Sequence, residues 1–144
     1  MQCDNLTKDY ILDILNNLDE NTINNLSTTK IIEHKKKILE NIVNNKDELE
    51  YYLNKLSNYR YVDEIDEVLI GRYIRWFNII NPEKIKLTNG GIIIDIIYKN
   101  DNIILVCKNY INNIFSLKLK ECLVFQKFTS QEELIIEILD YIKI

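Results

Sequence analysis

The side chains that most often carry out catalysis are sparse in this chain and poorly spaced for it. The one histidine, His34, lies in the basic run HKKK, where a solvated helix position is expected. The three cysteines, Cys3, Cys107 and Cys122, form no CxxC pair, so they predict reduced structural thiols and neither a zinc site nor a disulfide framework. The sequence also has no P-loop, GxGxxG or HExxH motif. We therefore expect a protein that is not an enzyme and holds no cofactor and no metal.

A cluster of carboxylates in the run DEIDE, residues 63–67, could bind a hard cation such as Ca²⁺ or Mg²⁺. Its spacing lacks the alternating ligands and the glycine of an EF-hand loop. A solvated linker, in which like charges repel one another, is the favoured interpretation.

A short stretch, residues 71–91, concentrates the residues best suited to recognition and to tight turns. It holds all three glycines, the only proline, the only tryptophan and two of the three arginines. In its first part, RYIRWFN, alternation places Ile74 and Trp76 towards the core, and leaves the opposite face under helices or on a binding surface. A second basic run, IFSLKLK, points Phe115 and two leucines one way and its lysines towards water. The residues that we predict to contact a partner are Arg72, Tyr73, Arg75, Trp76, Lys118 and Lys120.

The charge distribution leaves the class of partner open. Residues 68–128 contain nine basic and four acidic residues, a net charge of +5, although the whole chain carries −4. A protein partner is favoured, because arginines and aromatic residues are typical of binding hot spots. The alternative is a nucleic-acid-binding barrel acting through its basic aromatic strand, but the overall acidity argues against it. A narrower alternative is an aromatic cage for a methylated lysine, built from Trp76, Tyr73, Tyr98 or Tyr110.

The first part of the chain is predicted to be helical. Apolar residues recur every three or four positions in residues 8–18, which indicates a short amphipathic helix. A second, long helix is predicted over residues 27–56 with a heptad-like apolar pattern that Lys35 and Lys46 interrupt. Those interruptions favour a helix packed within the chain, with a homodimer through the long helix as the alternative.

Beyond residue 68, β-branched and aromatic runs separated by turn residues predict strands. We place them near residues 69–79, 92–98, 103–108, 114–120 and 122–128, with a short one at 85–87. Asn89-Gly90 is predicted to form a type I′ hairpin turn, and KNDN, residues 99–102, to form the next turn. Ser130 and Glu133 predict a capping box for a final helix with an apolar stripe.

These elements predict an α+β protein with an N-terminal helical pair, a small antiparallel SH3-like β-barrel of five to six strands and a C-terminal capping helix. The predicted boundaries are a helical extension over residues 1–62 and a barrel with its helix over residues 68–144. The N-terminus shows no leader pattern and no run is apolar enough to cross a membrane, so we expect an intracellular protein without membrane contact. The complete absence of alanine indicates an AT-rich genome.

The run GRYIRWFNIINPEKIKLTNGGIIIDI, with the later IILVCK and CLVFQKF strands, resembles small uncharacterised proteins of the nucleocytoplasmic large DNA viruses. The resemblance covers residues 68–142 and is carried by Tyr73, Ile74, Arg75, Trp76, Asn89, Gly90 and Gly91. It implies a viral origin and a place in the host cytoplasm, a viral factory or the virion. It implies nothing about mechanism.

Overall fold

A computed structural model describes residues 27–142 of the protein. The short helix predicted over residues 8–18 lies outside them. The chain divides into two compact units, and residues 35–127 form the one that contains the whole β-sheet. The described residues 27–34 and 128–142 belong to the other unit. This division differs from the boundary expected between residues 62 and 68, because a strand that precedes residue 63 belongs to the sheet.

Two helices occupy the region where one long helix was predicted. Helix α1 spans Thr28–Glu40 and helix α2 spans Lys46–Lys55. Between them, the Asn45 side chain accepts a hydrogen bond of 2.8 Å from the backbone N–H of Glu48 and starts α2 as its N-cap. The prediction of a continuous helix is therefore wrong. The polar run NNKD supplied a helix start that heptad counting overlooked.

The smaller unit contains the last helix, α3, which spans Ser130–Ile142. Its capping box is formed by Thr129 and Glu132, one residue earlier than the predicted pair Ser130 and Glu133. The Thr129 hydroxyl accepts from the Glu132 backbone N–H at 3.1 Å, and the Glu132 carboxylate accepts from the Thr129 N–H at 3.0 Å. Ile31 and Ile135 are buried together in the same unit, and Thr28 donates hydrogen bonds to the Asp140 carboxylate.

The larger unit is built on a six-stranded antiparallel sheet with the order β1-β6-β2-β3-β4-β5. The strands are β1 Tyr59–Val62, β2 Tyr73–Asn78, β3 Gly91–Lys99, β4 Asn102–Lys108, β5 Ile114–Lys118 and β6 Cys122–Lys127. Five of them confirm the predicted strands within a few residues. Strand β1 was missed because it is short and lies in a region assigned to the change of architecture. The strand predicted at 85–87 is reduced to a single bridge between Leu87 and Phe77.

The turn chemistry differs from the prediction at one of two hairpins. Asn100 and Asp101 both have positive φ and join β3 to β4 directly, which confirms the turn at KNDN. Asn89-Gly90 does not form a two-residue turn, because β2 ends at Asn78 and the chain makes a long excursion before β3. Glycine is required at position 90 for two other reasons. Its φ is 87°, and a Cβ there would lie 2.2 Å from the Ile74 carbonyl oxygen.

The path from β5 to β6 shows that the sheet is strongly curled. These strands are separated by four strand spacings in the pairing order, about 19 Å across a flat sheet. Only residues 119–121 connect them, and they form one 3-10 turn. Even fully extended, such a connection would reach about 14 Å. The ends of the sheet must therefore approach one another, although the described strand pairs do not close it.

The inner face of the curled sheet encloses the main core. All six strands contribute a buried residue to one apolar cluster: Val62, Ile74, Trp76, Ile93, Leu105, Cys107, Leu117, Cys122 and Val124. The outer face of β1, β6 and β2 is buried as well, because Phe77 and Phe125 pack with Leu39 of α1 and Leu49 of α2. Leu39 and Leu49, which both belong to the heptad-like pattern, therefore pack within the chain.

Candidate interaction surface

The arginines and the tyrosine of the predicted contact patch hold the backbone of their own chain. Arg72 Nη2 donates to the Lys127 carbonyl at 3.0 Å. Arg75 Nε donates to the Thr88 carbonyl at 2.8 Å, and Tyr73 Oη donates to the Asn89 carbonyl at 2.6 Å. We call these three side chains the β2 clamp. Its members are half-buried, and their donors serve the segments beside β2.

The clamp explains how the loop before β3 is fixed against β2. The Trp76 backbone N–H also donates to the Thr88 hydroxyl at 3.1 Å, and the Thr88 N–H donates to the Trp76 carbonyl at 3.0 Å. Gly90 then passes so close to β2 that a Cβ would lie 2.9 Å from side-chain atoms of both Arg75 and Tyr73. The concentration of special residues in this stretch therefore has a structural purpose.

Trp76 must be removed from the predicted contact patch. It is only 8% exposed and belongs to the inner core with Ile74. Alternation along β2 had already favoured this position for both residues. The aromatic cage also fails for Tyr98 and Tyr110, because these residues lie near opposite ends of β4, about 20 Å apart along the strand.

The two halves of the sheet differ in how their outer faces are treated. In the covered half, formed by β1, β6 and β2, both faces are largely buried. In the uncovered half, formed by β3, β4 and β5, only the inner face is buried. The strand registers place nine residues on the outer face of this half, in three rows across the strands. The rows are Ile97–Ile104–Lys118, Asp95–Val106–Ser116 and Ile92–Lys108–Ile114.

This uncovered face, as we call those nine residues, is more apolar than a solvent-facing sheet normally is. Ile92, Ile97 and Ile114 are 46%, 40% and 64% exposed. Antiparallel sheets with one wet face usually place polar residues on it. Five of the nine residues are apolar, with Asp95 and Lys108 among them, and exposed apolar residues grouped with polar ones can mark interaction sites. The uncovered face is therefore our candidate interaction surface.

The loop between β4 and β5 extends this surface with two further apolar side chains. Asn109 orders the loop, because its side-chain oxygen accepts from the N–H groups of Ile111 and Asn113 at 3.1 and 2.9 Å. Asn112 adopts the left-handed conformation, with φ of 68°. Tyr110 and Ile111 nevertheless point to solvent and are 82% and 56% exposed. An ordered backbone that presents apolar side chains to water is prepared for binding at low entropic cost.

Of the two lysines predicted to contact a partner, one lies on this same half and the other directly after it. Lys118 is exposed at the end of β5, and its Nζ lies 3.9 Å from the Glu121 carboxylate. Lys120 is exposed in the following 3-10 turn. That turn interrupts the alternation assumed for IFSLKLK. Lys120 therefore does not follow Ser116 and Lys118 on the outer face of β5. Lys108, which the sequence analysis did not select, lies between Ile92 and Ile114 on the uncovered face.

The run DEIDE forms part of the folded structure and is not a free linker. Residues 65–67 form a 3-10 turn, and Glu67 accepts a hydrogen bond of 2.5 Å from Arg60. Burial raises the pKa of Glu67 more than the arginine lowers it. Gln126, almost fully buried, donates to the Glu67 carbonyl at 3.0 Å. Within residues 27–142, no group of three or more histidine, cysteine or carboxylate side chains is arranged to hold a metal ion.

Two buried thiols and a buried amine complete the titratable groups of interest. Burial raises the pKa of Cys107 to about 12 and that of Cys122 to about 11, so both are protonated at neutral pH. Lys35, which interrupts the heptad pattern, is only 3% exposed, and burial lowers its pKa to about 8. Its Nζ donates to the Leu56 carbonyl at 2.8 Å, at the C-terminal end of α2.

An open cavity of about 370 Å³ lies at the end of the larger unit near the β3–β4 turn. Its lining combines carboxylates of Asp63 and Asp101 with the amine of Lys120. The remaining lining residues are Tyr61, Ile79, Ile103, Leu119, Cys122 and Leu123. Because the lining carries both signs of charge, it favours neither an anion nor a cation.

The comparisons with known proteins add no identity to this geometry. No protein-family model matches the chain, and neither a curated protein nor a solved structure does so. Within the described part of the chain, no helix has both the length and the apolar character needed to span a membrane.

Sequence reasoning missed the apolar part of the surface for an identifiable reason. The strand GIIIDIIYK has isoleucines on both faces, so its pattern gives no sign of which face meets water. A usable signal was the pair Tyr110 and Ile111, two apolar residues inside an asparagine-rich turn. Turns normally carry polar residues, and apolar ones there are candidates for contact.

Proposed function

We propose that this protein is a non-enzymatic interaction module that binds a protein partner through the uncovered face and the adjoining β4–β5 loop. The observation that carries the proposal is the apolar, unburied outer face of half of one sheet. The other half of the same sheet buries its outer face under α2 and residues 35–40 of α1. An outer face that leaves isoleucines exposed is suited to being covered by another protein.

We further propose that the curled sheet is an SH3-like barrel. Support comes from the order of its elements: a four-strand meander β2-β3-β4-β5, one 3-10 turn, and β6 returning to pair with β2. In such a barrel the uncovered face is a convex outer wall, and its inner face is filled by side chains. This form of the fold places recognition on the outside of the barrel, not in its interior.

Site-specific photo-crosslinking tests the proposed surface. A photoreactive phenylalanine analogue would replace Ile97 or Ile114 in two variants, and Glu50 in a matched control, because Glu50 is exposed on α2 of the larger unit. Crosslinking in extracts of the native source should give the same discrete protein bands with both face variants and none with the control. Equal labelling from all three positions, or none from any, would contradict the proposal.

Nucleic acid is the second candidate partner, and one observation favours it. Tyr110 is exposed in the loop two residues after the exposed Lys108, and an aromatic side chain near a cation can stack a base and bind a phosphate. A mobility-shift titration with single-stranded DNA and RNA across a salt series tests it. If Lys99, Lys108 and Lys118 met phosphates, the log–log slope would be about −2. Binding with that slope, lost on reversal of these charges, would replace the protein partner.

The resemblance to small proteins of large DNA viruses extends the proposal to origin. It supports a viral protein that works inside the infected cell or in the virion, and the AT-rich composition agrees with such a source. Crosslinked partners encoded by the same virus would support this extension.

A further inference from the structure

We propose that the uncovered half binds its partner by strand addition: an extended acidic segment of the partner pairs with the free edge of β5 and becomes a seventh strand. This inference rests on the proposed function, since it names the chemistry of the partner at the same surface.

The position of β5 supplies the backbone for strand addition. Among the described strands, β5 pairs with β4 alone and ends the sheet. An antiparallel strand directs alternate N–H and C=O groups to each side. Within residues 27–142 no strand pairs with the groups of β5 that point away from β4, and other proteins bind extended segments at such a sheet edge.

The side chains around this edge are exposed where a packed edge would cover them. Phe115 stands on the inner face beside Cys107, yet it is 43% exposed, whereas Leu117 two residues later is buried. An added strand would place one of its apolar side chains against Phe115. On the outer face, Ile114 and Lys118 would each meet a residue of the added strand.

The charges around β5 favour an acidic segment of another protein at this edge over a second copy of this chain. Lys108, Lys118 and Lys120 are exposed around β5, and the nearby acid, Glu121, makes only a long contact of 3.9 Å with Lys118. A second copy paired antiparallel about Ser116 would place its Lys118 about 10 Å from Lys108 of the first copy, with no acid between them. Physiological salt, with a Debye length of about 8 Å, screens most of the repulsion at that distance, so a dimer gains no charge pairing and meets only weak repulsion. An acidic segment from another protein instead meets complementary charge.

The loop at residues 109–113 gives this edge a fixed anchor. Its backbone is ordered by Asn109, and Tyr110 and Ile111 precede β5 directly. The partner strand therefore has apolar contacts at one end of β5 and a cationic contact at the other. We infer a partner segment with apolar residues on one face, and acidic residues on the face that meets Lys118.

The test uses the peptide acetyl-EVEVTVE-amide as a probe of that chemistry, followed by fluorescence anisotropy and by NMR of the ¹⁵N-labelled full chain. We expect saturable binding, chemical-shift changes centred on residues 114–118, and slower amide hydrogen exchange in β5. A peptide with proline at its fourth and fifth positions removes backbone donors on both edges and should bind at least about tenfold more weakly.

A charge swap supplies the decisive comparison. The double variant Lys108→Glu with Lys118→Glu should weaken binding of the acidic peptide about tenfold or more, and should gain affinity for acetyl-KVKVTVK-amide. The matched control is Lys84→Glu with Lys86→Glu, which changes the net charge equally at exposed positions outside the uncovered half. That control should behave as the wild type does.

Several results would overturn strand addition. They are equal binding of the proline peptide, shifts confined to β3 and β4, no reversal in the charge swap, and a dimer in the peptide-free protein with β5 amides already protected. Preferential binding of oligonucleotides at β5 with no binding of the acidic peptide would overturn it in favour of nucleic acid. If the peptide fails while photo-crosslinking at Ile97 and Ile114 still captures a protein, the inference fails and the proposed function stands.

Discussion

The covered and uncovered halves of the sheet differ in what the side chains of their outer faces contact. In the covered half, Phe77 and Phe125 of the outer face lie under helices, and the polar ends of Tyr73 and Arg75 bind backbone carbonyls. In the uncovered half, Ile97 and Ile114 stay exposed, and the lysines beside them make few contacts. Side chains that are typical of recognition are thus used for stability in one half, while the other half leaves apolar side chains without a stabilising role.

Residue type alone therefore does not identify a contact surface. Arginine and tyrosine are enriched in binding hot spots, but here their donors are occupied within the chain. The informative quantity is the number of apolar side chains that remain exposed on an otherwise ordered element.

The largest effect is expected at Gly90, where the loop passes against the clamp. Gly90→Ala adds a Cβ 2.2 Å from the Ile74 carbonyl oxygen to a residue with φ of 87°. We expect the free energy of unfolding to fall by about 3 kcal/mol or more in urea titrations. Gly71→Ala is the matched control, because its φ is 93° and nothing lies within 4 Å, so it should cost only about 1 kcal/mol. Similar losses for both variants would show that close packing against β2 is unimportant.

A pH-dependent effect is expected from Lys35 beneath the covered half. Its pKa is about 8 in the folded protein against an ordinary value of 10.5. Between those values the unfolded chain binds more protons, so the contribution of Lys35 to the free energy of unfolding rises with pH through this window. Relative to Lys35→Met, the wild type should gain about 2 to 3 kcal/mol between pH 7 and pH 11. A difference that stays constant over this range would show that Lys35 is not held in a desolvated site.

Intermediate effects should distinguish the clamp from the candidate surface. Arg75→Met and Tyr73→Phe each leave a carbonyl without its donor, and should lower the free energy of unfolding by about 1 kcal/mol. Ile114→Thr and Tyr110→Ser should change it by less than about 0.5 kcal/mol while abolishing the partner crosslink. If Ile114→Thr and Tyr110→Ser lower the free energy of unfolding more than the clamp variants do, the assignment of stability to the clamp and of binding to the surface is contradicted. For the same reason, charge reversal at Arg72 and Arg75 tests stability before it tests binding.

The smallest effect is expected at Glu121, which competes with a partner for Lys118. Glu121→Gln removes a partly exposed ion pair and should change the free energy of unfolding by less than about 0.5 kcal/mol. It should strengthen binding of the acidic peptide about twofold, measured by anisotropy at low salt. Weaker binding of that peptide would mean that Glu121, not Lys118, faces the partner.

Local patterns predicted most of the elements but not their roles. Alternation and turn residues placed five strands and the Asn100-Asp101 hairpin, since both depend on neighbouring residues. The break at Asn45 and the strand β1 were missed because a cap and a four-residue edge strand leave weak local signals. The helix beginning near Ser130 was placed correctly to within one residue of its cap.

The order of residues alone was enough to predict the α+β class, the antiparallel meander and the burial of Ile74, because periodicity and turn preference act over a few residues. Long-range packing decided which strands would be covered. Isoleucines occur on both faces of β3, and only the placement of α2 and residues 35–40 of α1 over β1, β6 and β2 leaves the opposite half in water. That choice depends on contacts between residues far apart in the chain, and local patterns do not encode it.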